Sequence, residues 1–340
     1  MNRAGGAGIF AGRLRYELGM RNRRYARGRP HVESYGEPPV MVYAPKNGHH
    51  GNFFHAAYAA IAARPEWMRR FDKVHAQAAR SLPKPVLDPA RRWRELDSSM
   101  SSDALLMNVF CAPGVVESTA LRNALGIEEN APPVFGWKAR VPLAAGRFDR
   151  TEVDMKLDML LVEAKLTEAG FQTREAGIVE AYRDFDAIFH RELLPRVALR
   201  SKRLKEPGEF PEDYSQEFES LLDILEAPSR MTAAGPRIDL NAGGESGYAS
   251  YQLIRNVLAA YAAGCSFCVL HDERRPDLRE DWFAVMAAVK SAEMRVRLKV
   301  LTWQELAAYL PDELQEFLDL KYGIVAPGKT ASSIEDTDSD

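Results

Sequence analysis

The stretch TEVDMKLDMLLVEAKL (151–166) sets Asp154, Glu163 and Lys165 among apolar neighbours. Two carboxylates brought together repel each other unless a cation lies between them. A hard divalent ion meets that need. Mg2+ takes oxygen ligands, commonly one or two carboxylates completed by waters and phosphate oxygens, and Mn2+ is the expected substitute. Such an ion would polarise a phosphoryl oxygen and lower the pKa of a bound water. A lysine beside it would orient or deprotonate the attacking water, or stabilise charge on the phosphate. The expected chemistry is metal-assisted attack of water on a phosphoryl group. Asp154 and Glu163 are the expected ligands and Lys165 their catalytic partner. No Ser or Cys nucleophile with a matched His stands out.

These residues must be positioned by a hairpin. A fold-back at Asp158-Met159 places Asp154 opposite Glu163 and Glu152 opposite Lys165. Alternation along a strand puts Glu163 and Lys165 on one face with Ala164 pointing away. Facing side chains then lie about 5 Å apart at Cβ. The competing reading is a cross-strand salt bridge on a solvated sheet face.

Around the hairpin, VMVYAP (40–45) reads as a strand, and 52–80 as a helix interrupted near Pro65. A Pro-rich connector follows at 81–89. SSDALLMNVFC (101–111) opens with a serine cap and an acid in its first turn. Residues 132–143 read as a strand, 177–200 and 212–226 as helical, and 246–264 as a strong helix stopped by Gly264. Strands at 265–273 and 295–303 alternate with a helix at 280–293, and two short helices close the pattern. The fold class is α/β, with a mixed central sheet carrying helices on its faces.

The chain has 340 residues, enough for one large domain with insertions or for two domains. A net charge of −3 excludes a globally basic nucleic-acid binder, so such a partner would meet a local patch. Three cysteines, Cys111, Cys265 and Cys268, do not suit a disulfide framework and fit a reducing, cytoplasmic compartment. No run of about 18 apolar residues indicates a membrane span. Residues 1–30 carry eight arginines and one acid, Glu17, and read as a solvated basic arm able to touch phosphate. The acidic tail 326–340 has the composition of a disordered segment.

An acid on one strand, Glu163-Ala164-Lys165 on the next, and then a helix and a strand resemble the PD-(D/E)XK nuclease superfamily, in particular its bacterial restriction endonucleases. An E-x-K tripeptide alone is cheap, since roughly one arises by chance in a chain of this length. Its context carries the resemblance, which covers about 95–310 with 177–245 as a helical insertion. It implies a restriction-endonuclease type of fold and a Mg2+-dependent endonuclease acting on DNA. The same resemblance gives Gln252, at the start of the following helix, a supporting catalytic role. It divides the chain into an N-terminal basic arm and helical region (1–90), a nuclease-like domain (91–325) and the tail. Double-strand cleavage calls for two sites, which a homodimer would supply. Two departures stand out. Val153 replaces the motif's proline, and the first core helix offers Asp103 and Asn108 where the family often has Glu, so no helical ligand is assigned. The alternative function is a catalytically inactive DNA-binding or accessory module of the same fold.

Other motifs weigh less. CSFC (265–268) has metal-pair spacing, but its cysteines would point to opposite faces of a strand and read as buried small hydrophobes. NGHHG (47–51) with His55 reads as a loop before a helix, or else as a metal site. The Gly-rich stretches lack the Lys-Ser/Thr ending of a nucleotide-hydrolase phosphate loop. Arg274 and Arg275 in HDERRPDL could contact a phosphate backbone. The run LRSKRLK, opened by Leu199 and charged by Arg200, Lys202 and Arg203, is a candidate DNA-contacting element within the insertion.

Overall fold

A two-residue turn with Asp158 in the left-handed region (φ 51°) closes the hairpin. Short polar residues tolerate that conformation. The computed structural model describes residues 3–34, 38–73, 94–150, 152–199 and 246–329. Five strands form its main sheet: β1 (Val134–Lys138), β2 (Glu152–Leu157), β3 (Leu160–Ala164), β4 (Ser266–His271) and β5 (Leu298–Thr302), in the order β5-β4-β3-β2-β1. β4 runs parallel to β3 and to β5, while β2 is antiparallel to both β1 and β3. The hairpin register is Leu157↔Leu160, Lys156↔Leu161 and Met155↔Val162, the register that the fold-back predicts.

Helices cover both faces, as a sheet with parallel strands at its centre requires. Every residue of β3 is buried. Leu160, Val162 and Ala164 join one core with α1 (Arg3–Tyr25), α2 (His55–Ala62) and α3 (Ser102–Phe110). Leu161 joins the other core with α4 (Tyr251–Ala263) and α5 (Pro276–Ala288), and α6 (Asp312–Tyr322) closes the first face. Two local signals are realised directly. The Ser101 hydroxyl accepts the Ala104 N–H at 3.1 Å, capping α3, and Gly264 ends α4 at φ 68°. Pro65 occupies the first turn of a new short helix, Pro65–Met68, which accounts for the interruption.

Two expectations are corrected. The basic N-terminal segment is not a solvated arm. Leu14 and Leu18 of α1 are buried, Arg21 donates to the Asp319 carbonyl at 2.7 Å, and Asn22 donates to the Lys321 carbonyl at 3.2 Å. Residues 177–200 are not one long helical region. Short helices at Ala176–Glu180 and Phe185–Ile188 precede a strand, Arg196–Ala198, which pairs with Ser246–Tyr248. Val179, Tyr182, Phe185 and Ile188 recur with a helix-like spacing. However, the Tyr182 hydroxyl donates to Asp149 at 2.5 Å, and the chain turns there. The basic residues Arg200, Lys202 and Arg203, the 212–226 helix, the end of the 52–80 helix beyond 73, the whole 81–89 connector and the tail from 330 lie outside the described residues.

Candidate active site

The site lies where β2 and β3 part. Beyond Met155↔Val162 the Ala164 N–H donates to Asp154 Oδ2 at 2.8 Å. A carboxylate thus takes a donor on the neighbouring strand. Val153 packs in the α4 core while Met155 packs in the α3 core, so β2 changes face at Asp154. Opposite it on β1, Gly136 adopts φ 61°, a conformation natural to glycine. A Cβ there would lie 2.4 Å from Arg70 Nη1.

Glu163 and Lys165 are 2% and 6% exposed, and Lys165 Nζ stands 3.0 Å from Glu163 Oε1. The other oxygen, Oε2, accepts from Asn256 Nδ2 at 2.7 Å. Asn256 is in turn oriented by Arg255, whose Nε and Nη2 donate to Asn256 Oδ1 at 3.1 and 2.8 Å. That contact assigns the amide oxygen to the arginine and the amide nitrogen to the glutamate. The Lys165 backbone is held at both ends: its N–H donates to the Leu270 carbonyl and its own carbonyl accepts from Trp303 Nε1. These bonds fix a charged side chain at the end of an otherwise apolar strand.

Burial lifts the Asp154 carboxyl well above the usual carboxylate range, and Glu163 and Asp103 push it further; Lys165 and the Ala164 N–H oppose them. Burial works against the Lys165 ammonium, but Glu163, Glu168 and Asp154 outweigh it and hold its pKa above the ordinary value. Asp103, on α3, is buried too. Lys73 and Arg70 overcome that burial and keep its pKa below the usual range. Their contacts with Asp103 Oδ2 are 3.0 and 2.8 Å.

Asp154, Glu163 and Lys165 are therefore brought together. Glu152, expected opposite Lys165, is instead engaged by Arg70 Nη1 at 2.9 Å on the rim. Gln252 lies one turn before Asn256 on α4. Its amide oxygen is buried without a partner among the described residues, and it makes no hydrogen bond to the three. Asn256 is the residue that sequence reasoning missed. Its signal was a polar side chain four residues after Gln252, on the same face of an apolar helix. Of the two α3 residues that the sequence offered in place of a Glu, Asp103 acts on Asp154, whereas Asn108 bonds to the Asn52 and Ala104 carbonyls.

Arg275 is withdrawn from solvent, and Arg274, though partly exposed, has its donors taken within the fold. Arg274 is taken by Asp272, Glu17 and the Tyr322 carbonyl. Arg275 is fully buried, bonded to Asp277 and to the carbonyls of Leu166 and Glu168. With these donors satisfied internally, both arginines hold the fold together, and Arg275 pins the chain just after Lys165. Cys265 and Cys268 enter opposite cores as expected, and burial pushes the Cys268 thiol up to about 12. Among the described residues no group of three or more His, Cys, Asp or Glu side chains is arranged to hold a metal. None of the described helices is long and apolar enough to cross a membrane.

Residues 20–323 match the model of a family described as restriction endonuclease associating with ARP. No curated protein and no solved structure matches the chain.

Proposed function

The chain belongs to the family of restriction endonucleases associating with ARP, and from that premise we propose that it is a Mg2+-dependent DNA endonuclease with a PD-(D/E)XK site on a restriction-endonuclease type of fold. The observation that carries the reading is the buried Glu163–Lys165 contact placed beside Asp154 at the strand fork. A solvated salt bridge would leave these groups exposed, and Glu163 and Lys165 are almost wholly withdrawn from water.

The donor set suits a hard cation. Asp154 and Glu163 supply carboxylate oxygens, and their proximity disfavours two negative charges without one. With these two side chains as ligands, waters and phosphate oxygens would complete the shell, as is usual for Mg2+. Bound there, the ion would supply Lewis acidity and a water of lowered pKa. Lys165, whose pKa is held above its ordinary value, stays an ammonium at neutral pH. Its role in this reading is to position the attacking water and stabilise charge on the phosphate. Asn256 and Arg255 fix the Glu163 carboxylate, and Gln252 lies one turn before Asn256 on the same helix.

A second reading has one observation in its favour. Both Glu163 oxygens and one Asp154 oxygen already have protein partners, as in an accessory module that keeps the fold without the chemistry. A cleavage assay decides between them, using plasmid and linear DNA, methylated and unmethylated, with Mg2+, Mn2+ or EDTA. Cleavage that needs the metal and disappears in Glu163→Gln supports the enzyme. DNA binding without cleavage, unchanged by that substitution, supports the module.

A further inference from the structure

On the opposite end of α3 from Asp103 lies a cleft of about 390 Å³ that the nuclease reading leaves unused. It is built where the end of α1, the hairpin Pro45–His50 and the start of α2 converge. The hairpin turns through Asn47 and Gly48, both at positive φ (52° and 76°), the two-residue turn that Asn-Gly favours. That turn delivers Lys46 and His49 to the cleft, where His55 lies beside His49, and Arg29 supplies a further cation to the lining. The inner wall is aromatic: Tyr25, Phe54, Tyr58 and Phe317.

The composition of this lining is selective. Among the described residues no carboxylate lines the cleft, although the chain carries 48 acidic residues, and three of its seven histidines do. Lys46, His49 and His55 are exposed. A metal does not account for the histidines. His50 is committed to Asp97 at 3.1 Å, and His49 and His55 lie ring against ring with centroids 4.8 Å apart. The Arg29 guanidinium lies over the Tyr25 ring at 4.0 Å, so cation and ring already share a surface at the cleft.

We propose that this cleft binds a nucleotide unit, with its phosphate among Lys46, His49, His55 and Arg29 and its base against the aromatic wall. Cationic rims that follow a phosphate and rings that stack a base are the two components of sequence-tolerant nucleotide binding. The unit can come from a free nucleotide or from an end or single strand of DNA. The cleft is tied to the nuclease site through α3: Asn108 Oδ1 accepts the Phe54 N–H at 2.6 Å, one and a half turns from Asp103 on the same helix.

The test is calorimetric titration of the full chain in EDTA, so that binding is read whether or not the protein cleaves DNA. The probes are dAMP, deoxyribose 5-phosphate, inorganic phosphate and a short oligonucleotide with or without a 5′-phosphate. The expected result is that dAMP or the oligonucleotide binds roughly tenfold or more tightly than deoxyribose 5-phosphate, the margin that base stacking provides. In Lys46→Ala/His49→Ala/His55→Ala, confined to exposed side chains, that binding should weaken roughly tenfold with the fold intact by circular dichroism. Preference for dAMP identifies a free nucleotide as the source, and preference for the phosphorylated oligonucleotide identifies DNA. Equal binding of dAMP and deoxyribose 5-phosphate, no binding of either nucleotide probe, or binding indifferent to the triple substitution would overturn the proposal.

Discussion

Replacing Lys165 by Met keeps most of the side-chain volume and removes the charge. Glu163, 2% exposed, is then left with Asn256 as its hydrogen-bonding side chain and with Asp154 close by. Removing one partner of a buried ion pair costs about 3–5 kcal/mol, because the surviving charge is neither solvated nor neutralised. The Asn256 bond persists, so the lower end, about 3 kcal/mol, is expected here. Removing both charges, as Lys165→Met with Glu163→Gln, leaves an amide that Asn256 can still meet and no buried charge. Most of the loss should return, making the two substitutions non-additive by about 2 kcal/mol. Urea unfolding followed by circular dichroism measures this, provided the slope stays constant. The sign with pH is also set. The Lys165 pKa is raised in the folded state, so its stabilisation is fully present below the unfolded value of 10.5 and is lost only as pH rises through the folded value. The cost of Lys165→Met should therefore be flat through neutral pH as far as Lys165 is concerned. A cost below about 1 kcal/mol, or a double variant as unstable as the sum of the singles, would refute a buried, mutually dependent pair.

Asp154→Asn should stabilise the fold by about 1 kcal/mol while abolishing metal-dependent cleavage, a stability–activity opposition common at active sites. The Asp154 pKa is raised on folding, so the wild type gains from that carboxyl as pH falls and loses the gain as pH rises through the folded pKa. Melting temperatures of the two proteins should accordingly diverge from acid to neutral pH, and parallel curves would count against the assignment. Asn256→Leu strips Glu163 Oε2 and the two Arg255 donors of their partner. It should cost about 2–3 kcal/mol by denaturant midpoint and lower the cleavage rate, whereas Asn256→Asp should not rescue the rate, because it sets a third carboxylate against Glu163. Arg275→Lys cannot reproduce bonds to Asp277 and two carbonyls from a fully buried position. It should destabilise by about 2–3 kcal/mol and leave DNA affinity per folded molecule unchanged; a selective loss of affinity would restore Arg275 as a DNA contact.

What the sequence determined by itself was local. The turn at Asp158, the alternation of β3 and the apolar flanks left one register, and that register placed Asp154, Glu163 and Lys165 together. The Ser101 cap and the Gly264 stop were legible for the same reason, since each depends on residues within one turn. Tertiary structure decided the rest. Asn256 meets Glu163 across 93 residues, and Arg70 meets Asp103 across 33, so no periodicity could pair them. Arg274 and Arg275 read as exposed cations because sequence records charge and not burial; in the fold they are consumed by carbonyls and carboxylates as far as 257 residues away. The arginine-rich N-terminus misled in the same way. Leu14 and Leu18 are four residues apart, enough to form one apolar stripe, but only packing against the rest of the fold, α6 and α5 foremost, turns that weak stripe into a docked helix.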